Sequence, residues 1–169
     1  ARCKGPAPSP GSPGMTETEI DAIMRIMDAA FDPQWGEAWT RPQIESALQL
    51  ANTLPTLVAA TGTRTADPGE AVGFAIVRAA PGEEEILLIA VDPRERRKGL
   101  GRSLIAILAT DARRRGADKL FLEMRENNPA RSLYEAVGFR QIGRRKDYYS
   151  LGDGARMDAI TFGLDLDKS

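Results

Sequence analysis

The stretch DPRERRKGLGRSL, Asp92 to Leu104, decides how this chain is read. It carries five cationic side chains and two glycines. It lies between an apolar run, EILLIAV (Glu85 to Val91), and a segment of helical periodicity, Arg102 to Arg115. A buried strand ending at Val91, a turn at Asp92-Pro93 and a glycine-bearing loop running into a helix together make a site for an anion. Glycine lets the backbone take positive φ and lets a ligand come close. The start of a helix offers unpaired N–H groups and the positive end of its dipole, which favour phosphate. The neighbouring Arg and Lys side chains add charge-assisted hydrogen bonds. The reading is a pyrophosphate cradle, weighed against a solvated basic loop around a glycine-capped turn. Two other phosphate motifs fail. There is no G-x-x-x-x-G-K-S/T, and a dinucleotide G-x-G-x-x-G breaks because Leu104 stands three residues past Gly101.

The rest of the composition narrows the chemistry. The 169 residues suit one domain with a real core. Apolar residues make up 42% and charged residues 28%, as in an ordinary globular protein. A net charge of −1 argues against direct nucleic-acid binding by bulk electrostatics. No apolar run has the length of a membrane span, and no signal peptide is visible, so a cytoplasmic protein without membrane contact is expected. The single cysteine, Cys3, fits a reducing compartment. The chain has no histidine, which removes Ser-His and Cys-His nucleophilic catalysis and His-containing metal sites; no metal is expected. A general base must then be a carboxylate, an amine, a phenol or water.

Residues 1–14, ARCKGPAPSPGSPG, are rich in Pro, Gly and Ser and are expected to be a disordered leader, with Met15 as a natural start and 15–169 as one domain. From Glu17 to Phe31, Ile20, Ile23, Met24, Met27 and Phe31 recur at helical spacing. Pro42 to Ala51 reads as a second helix. Strands are expected at Thr56–Ala60, Ala71–Ala79 and Glu85–Val91. The helix Arg102–Arg115 follows, with Leu104, Ile107, Leu108 and Ala112 as its apolar stripe and Gly116 as its stop. Then come a buried strand at Lys119–Met124, a short helix at Pro129–Val137 ended by Gly138, and two strand-like runs, FRQIGRRKDYY and MDAITFGLDL. This order predicts a mixed α/β sandwich around a central sheet.

Val91 to Gly101, V-D-P-x-x-R-x-x-G-L-G, resembles the acetyl-CoA motif of the Gcn5-related N-acetyltransferases, whose Gln/Arg-x-x-Gly-x-Gly/Ala pattern is met by Arg96, Gly99 and Gly101. NNPARSLYEAVGF (Asn127 to Phe139) resembles the second half of the same fold, and the likeness runs from Thr16 to Leu166. Within that family, LFLEMRENN, LYEAVGF, the RRKDYY run, the final MDAITFGLDL and GEAWT (Gly36 to Thr40) resemble the bacterial RimI-type ribosomal-protein-alanine acetyltransferases. The double tyrosine followed by Asp158-Ala159 is the most group-specific piece. The resemblance implies a central, mostly antiparallel sheet flanked by helices.

It also implies roles. Acetyl-CoA would be held by Ile89, Ala90 and Val91 at the strand end and by Arg97, Lys98, Gly99, Leu100, Gly101 and Arg102 in the loop. The strand would pair its backbone with the pantetheine arm, and an N–H near Val91 would hold the acetyl oxygen. One of Asn127 and Asn128 would touch the cofactor, although either also suits a helix N-cap. Glu123 matches the group's general base; read on its own it could equally pair with Arg125 or Lys119. Tyr134 matches the general acid that protonates the CoA thiolate; read on its own it could be a core tyrosine. Glu123 and Tyr134 stand eleven positions apart, one fewer than the resemblance implies. Glu37, Trp39, Tyr148 and Tyr149 are candidates for a groove that takes a cationic peptide N-terminus.

The reaction implied is direct acetyl transfer to an α-amine, without an acyl-enzyme. An α-amine (pKa about 7.7–8) is cheaper to deprotonate at pH 7 than lysine (about 10.4), by about 3.4 kcal/mol. The acceptor implied is a protein N-terminus, that of ribosomal small-subunit protein eighteen first. Broader N-terminal or lysine acetylation and a non-catalytic acetyl-CoA-binding module are the alternatives.

Overall fold

The computed structural model describes residues 17–167, so the expectations for the leader, Cys3 and Met15 lie outside the described residues. Helix α1 (Glu17–Ala30) leads through a 3-10 turn (Pro33–Trp35) into α2 (Arg41–Leu48). Thr40 caps α2 reciprocally: its hydroxyl takes the Gln43 N–H, and Gln43 returns its amide oxygen to the Thr40 N–H at 2.7 Å. Strands β1 (Thr53–Ala59), β2 (Ala71–Ala80) and β3 (Glu83–Val91) form a meander. Then follow a 3-10 turn (Pro93–Glu95), α3 (Leu100–Arg114), β4 (Lys119–Arg125), α4 (Arg131–Ala136), β5 (Arg140–Ser150) and β6 (Arg156–Asp165). Every strand expected from the sequence is present; the element ends move by one to a few residues.

The sheet order is β1-β2-β3-β4-β6-β5. Every pairing is antiparallel except β3 with β4. That parallel pair holds only from Glu83–Ile86 against Lys119–Leu122. Past Ile86 and Leu122 the two strands part. The cause is visible in β3: Ile76 faces Leu88 and Val77 faces Ile86, so Leu87 is an extra residue, a bulge. The bulge swaps the faces of β3. Ile86 packs with α3, whereas Leu88 and Ala90 pack with α1.

Each face of the sheet has its own core. Leu104, Leu108 and Ala112 of α3 meet Ala75, Val77, Leu120, Leu122 and Phe162 on one side. Ile20, Ile23, Ile26 and Met27 of α1, with Ile44 of α2, meet Phe74 and Ile76 on the other. Burying each such side chain contributes about 1.5–3 kcal/mol. Ile26 joins the α1 stripe, while the expected Met24 and Phe31 are only half-buried at its rim. The C-terminal end of α3 is tied to the sheet by Arg115, which donates from Nε and Nη2 to the buried Glu84 at 2.6 and 2.8 Å. No helix among the described residues is long and apolar enough to cross a membrane.

Candidate active site

The gap between β3 and β4 brings Ile89, Glu123, Asn128 and Tyr134 to one cleft with Glu37, Trp39, Tyr148 and Tyr149, while Val91 and the residues from Arg97 to Arg102 lie outside its lining. Asp92 donates its N–H to Val72 on β2 at 2.8 Å. Backbone groups alternate sides along a strand, so Val91 and Ile89 turn theirs away from β2, toward the gap. There they find no β4 partner, because that pairing has already ended at Ile86. This free strand edge is what an extended amide-bearing ligand can add to.

The motif loop follows at once. Asp92, only 3% exposed, accepts from the Arg94 backbone at 2.9 Å and from the Arg94 guanidinium at 2.8 Å. Those bonds hold its carboxyl down at about 2. Arg97 and Gly99 both take left-handed backbone, with φ of 64° and 79°. Gly99 precedes α3 with no side-chain cap, which leaves the N–H groups of the first turn of α3 for an anion. Arg97, Lys98 and Arg102 are exposed around it. Lys98 pairs with Glu95 at 2.7 Å. Arg96 turns away and donates to the carbonyl of Ala30 at the end of α1. The Leu100 side chain is buried, so it offers backbone alone.

The two glycines do different work. A Cβ on Gly99 would meet no atom, but its φ would be strained. A Cβ on Gly101 would come within 2.7 Å of Leu133 Cδ2, so Gly101 lets α4 pack against α3. Gly99→Ala is expected to destabilise the fold by about 1–2 kcal/mol, the cost of a left-handed L-residue. Gly101→Ala is expected to cost about 1 kcal/mol or less, since only the end of Leu133 must turn. Urea unfolding of the two variants checks the order.

Beside the loop, a cleft of about 430 Å³ is lined by Ile89, Glu123, Asn128, Tyr134 and the four expected acceptor residues, Glu37, Trp39, Tyr148 and Tyr149. The shortened spacing therefore still brings Glu123 and Tyr134 to one cavity. Ala90 instead packs under α1, and Asn127 lies outside the cleft lining. The two asparagines divide. Asn127 accepts from Arg125 Nη1, while Asn128 holds the Ala130 N–H at 2.9 Å and faces the cleft.

Glu123 lies within β4, one residue past the last β3 pairing. Its partner is neither Arg125 nor Lys119 but Arg145 on β5, at 3.2 Å. Lys119 lies near Asp165, and Arg125 belongs to Glu37, with Nε 3.0 Å from Oε1. The Nε–H is not aimed at that oxygen, so this buried donor has contact without a hydrogen bond. Arg125 also lies 4.1 Å over the Trp35 ring. It thereby pins the Trp35–Glu37 loop to the end of β4. Sequence reasoning missed this clamp, whose one signal was an arginine ending a strand, KLFLEMR, that alternates buried positions. Burial pushes the Glu37 carboxyl up, and Arg125 offsets part of that rise. Burial, then the Glu37 charge, push the Tyr134 phenol up to about 12. Tyr149 is also near 12, through burial and then Glu37 and Glu123.

Asp158, part of the group-specific tail, has a supporting place. It takes the Asp147 N–H at 2.8 Å and the Arg144 guanidinium, both of which lower its carboxyl. Arg145 faces Ala159 and Tyr149 faces Met157, so three β5 residues bulge opposite Asp158. At that bulge, Tyr148 and Tyr149 line the cleft and Arg145 reaches Glu123.

A splayed parallel pair, a basic glycine loop at a helix start and an acid–phenol cleft beside them define one class of protein. The profile of the acetyltransferase (GNAT) family matches residues 20–139, and this chain belongs to that family. It is similar to the ribosomal-protein-bS18-alanine N-acetyltransferase of Salmonella typhimurium, with 40% identity over 90% of this chain and 95% of the relative. The Escherichia coli protein of the same name is 40% identical over 58% of this chain, and the matched segment spans 66% of that relative's length. The crystal structure of the Escherichia coli ribosomal-protein-S18-alanine N-acetyltransferase superposes with a TM-score of 0.73 at 31% identity, covering 93% of this chain and 94% of the other.

Proposed function

We propose that this chain transfers acetyl from acetyl-CoA to the N-terminal α-amine of a protein, with the N-terminal alanine of ribosomal small-subunit protein eighteen as first acceptor, in the cytoplasm. The observation that carries this is the shared cleft: Glu123 and Tyr134 line it together, beside the unpaired edge of β3. The names of the similar proteins support the acceptor.

The residues fit the donor. The free edge at Ile89 and Val91 suits the amides of the pantetheine arm. The uncapped start of α3, with Gly99, Arg97, Lys98 and Arg102, suits a pyrophosphate, and Asn128 faces the space between. Glu37, Trp39, Tyr148 and Tyr149 receive the acceptor chain. Glu123 takes the proton from the attacking amine, directly or through water. The amine nitrogen bonds to the acetyl carbon, and the Val91 N–H steadies the oxygen where charge develops. Tyr134 meets the sulfur as the carbon–sulfur bond breaks.

The test is CoA release with acetyl-CoA and an alanine-first peptide copying that ribosomal N-terminus. A blocked peptide carrying lysine is expected to react roughly 300-fold more slowly, the ratio of neutral amine at pH 7 set by the pKa gap. Equal rates would point to a lysine acetyltransferase. Acetyl-CoA binding without turnover of any peptide would point to a binding module.

A further inference from the structure

Three carboxylates line the cleft, Glu37, Glu85 and Glu123. Glu85 pairs with Arg78 on β2, and the arginines that meet the other two differ in kind. Arg125 is held on three sides, by Glu37, the Trp35 ring and Asn127, and its side chain is 10% exposed. Arg145 is the last paired residue before the β5 bulge, with its side chain 62% exposed. It touches Glu123 Oε2 at 3.2 Å and lies 5.1 Å from the centroid of the Tyr148 ring. A carboxylate beside an aromatic face is also what a primary ammonium seeks. At neutral pH most of an α-amine with a pKa of about 7.7–8 arrives as that ammonium. So Arg145 occupies, with a tethered cation, the place the acceptor's cation needs, and an exposed ion pair of this kind is weak enough to yield.

We propose that Arg145 is a displaceable stand-in for the acceptor's α-ammonium, which exchanges with it at Glu123 and Tyr148 on binding. This rests on the reading of the cleft as an α-amine site. Arg145 then sets a threshold: an acceptor whose amine makes poor contact with Glu123 does not displace it. Arg125 does not exchange, and keeps Glu37 in place throughout.

Arg145→Ala is expected to lower the KM of an alanine-first peptide about two- to fivefold, the size of one exposed ion pair. The KM of acetyl-CoA should not move with it, and Arg145→Lys, which can still pair, should stay near wild type. A merely structural role would raise KM rather than lower it. Calorimetric titration of the same peptide into the CoA-loaded protein gives the companion cycle. In Glu123→Ala, which leaves no oxygen there for either cation, peptide affinity should no longer respond to Arg145→Ala. An unchanged or raised peptide KM in Arg145→Ala overturns the proposal alone. Absence of saturable peptide binding to the wild-type protein overturns the α-amine reading and the proposal with it.

Discussion

Glu123→Gln is expected to lower kcat/KM for the alanine-first peptide about 10²- to 10⁴-fold, the usual contribution of a positioned base. That is about 3–5 kcal/mol of transition-state stabilisation. Glutamine keeps the size of the side chain and an oxygen that can still accept from Arg145, but it cannot take a proton. The fold should tolerate the change. Arg145 is mostly exposed, so the lost ion pair is worth about 0–1 kcal/mol. Acetyl-CoA affinity should also hold, since Arg97 to Gly99, the first turn of α3 and the β3 edge are untouched. Single-turnover kinetics with a calorimetric acetyl-CoA titration separate the two steps. Full turnover in Glu123→Gln would rule this residue out as the base. Attention would then pass to Glu37, another carboxylate lining the cleft, whose proton affinity is already raised by burial.

Much of this site could be read along the chain because its parts are local. The basic loop, the glycines and the LYEAVGF helix lie within short stretches whose periodicity and turn chemistry are visible directly. What could not be read depends on contacts far apart in sequence. The Leu87 bulge that opens the sheet has no residue signature; it appears only when β3 is laid against β2. Glu123 finds its cation on a strand more than twenty residues away, so neighbours such as Arg125 looked nearer than they are useful. The Arg125 clamp needs the loop after α1 to fold back over β4. Gly101 reads as room for a phosphate, yet its close neighbour is Leu133 of α4. Asn127 and Asn128 could be told apart only once Arg125 claimed the first.

Tyr134→Phe is expected to lower kcat about 10²-fold, at the modest end for a general acid, and the reason lies in the environment of the phenol. Burial and the Glu37 charge hold its proton until about pH 12. A thiol ionises near about 8.5, so complete transfer from phenol to free thiolate runs uphill. Tyr134 therefore acts mainly as a hydrogen-bond donor while negative charge builds on sulfur, with the proton following. Two results check this. Wild-type kcat should not fall between pH 8 and 10 through loss of this proton. Stability should behave by linkage: the unfolded phenol ionises near the ordinary 10.0, the folded one near 12. The burial contribution is thus complete below pH 10 and is lost as pH rises toward 12. For Tyr134 that amounts to about 3 kcal/mol at most. The phenylalanine variant has no phenol here to ionise, so its melting temperature should fall less steeply above pH 10 than wild type, with Tyr149 supplying the remaining slope. Identical slopes in the two proteins would mean that the Tyr134 phenol is not shifted, and a kcat unchanged by the substitution would remove it from the chemistry.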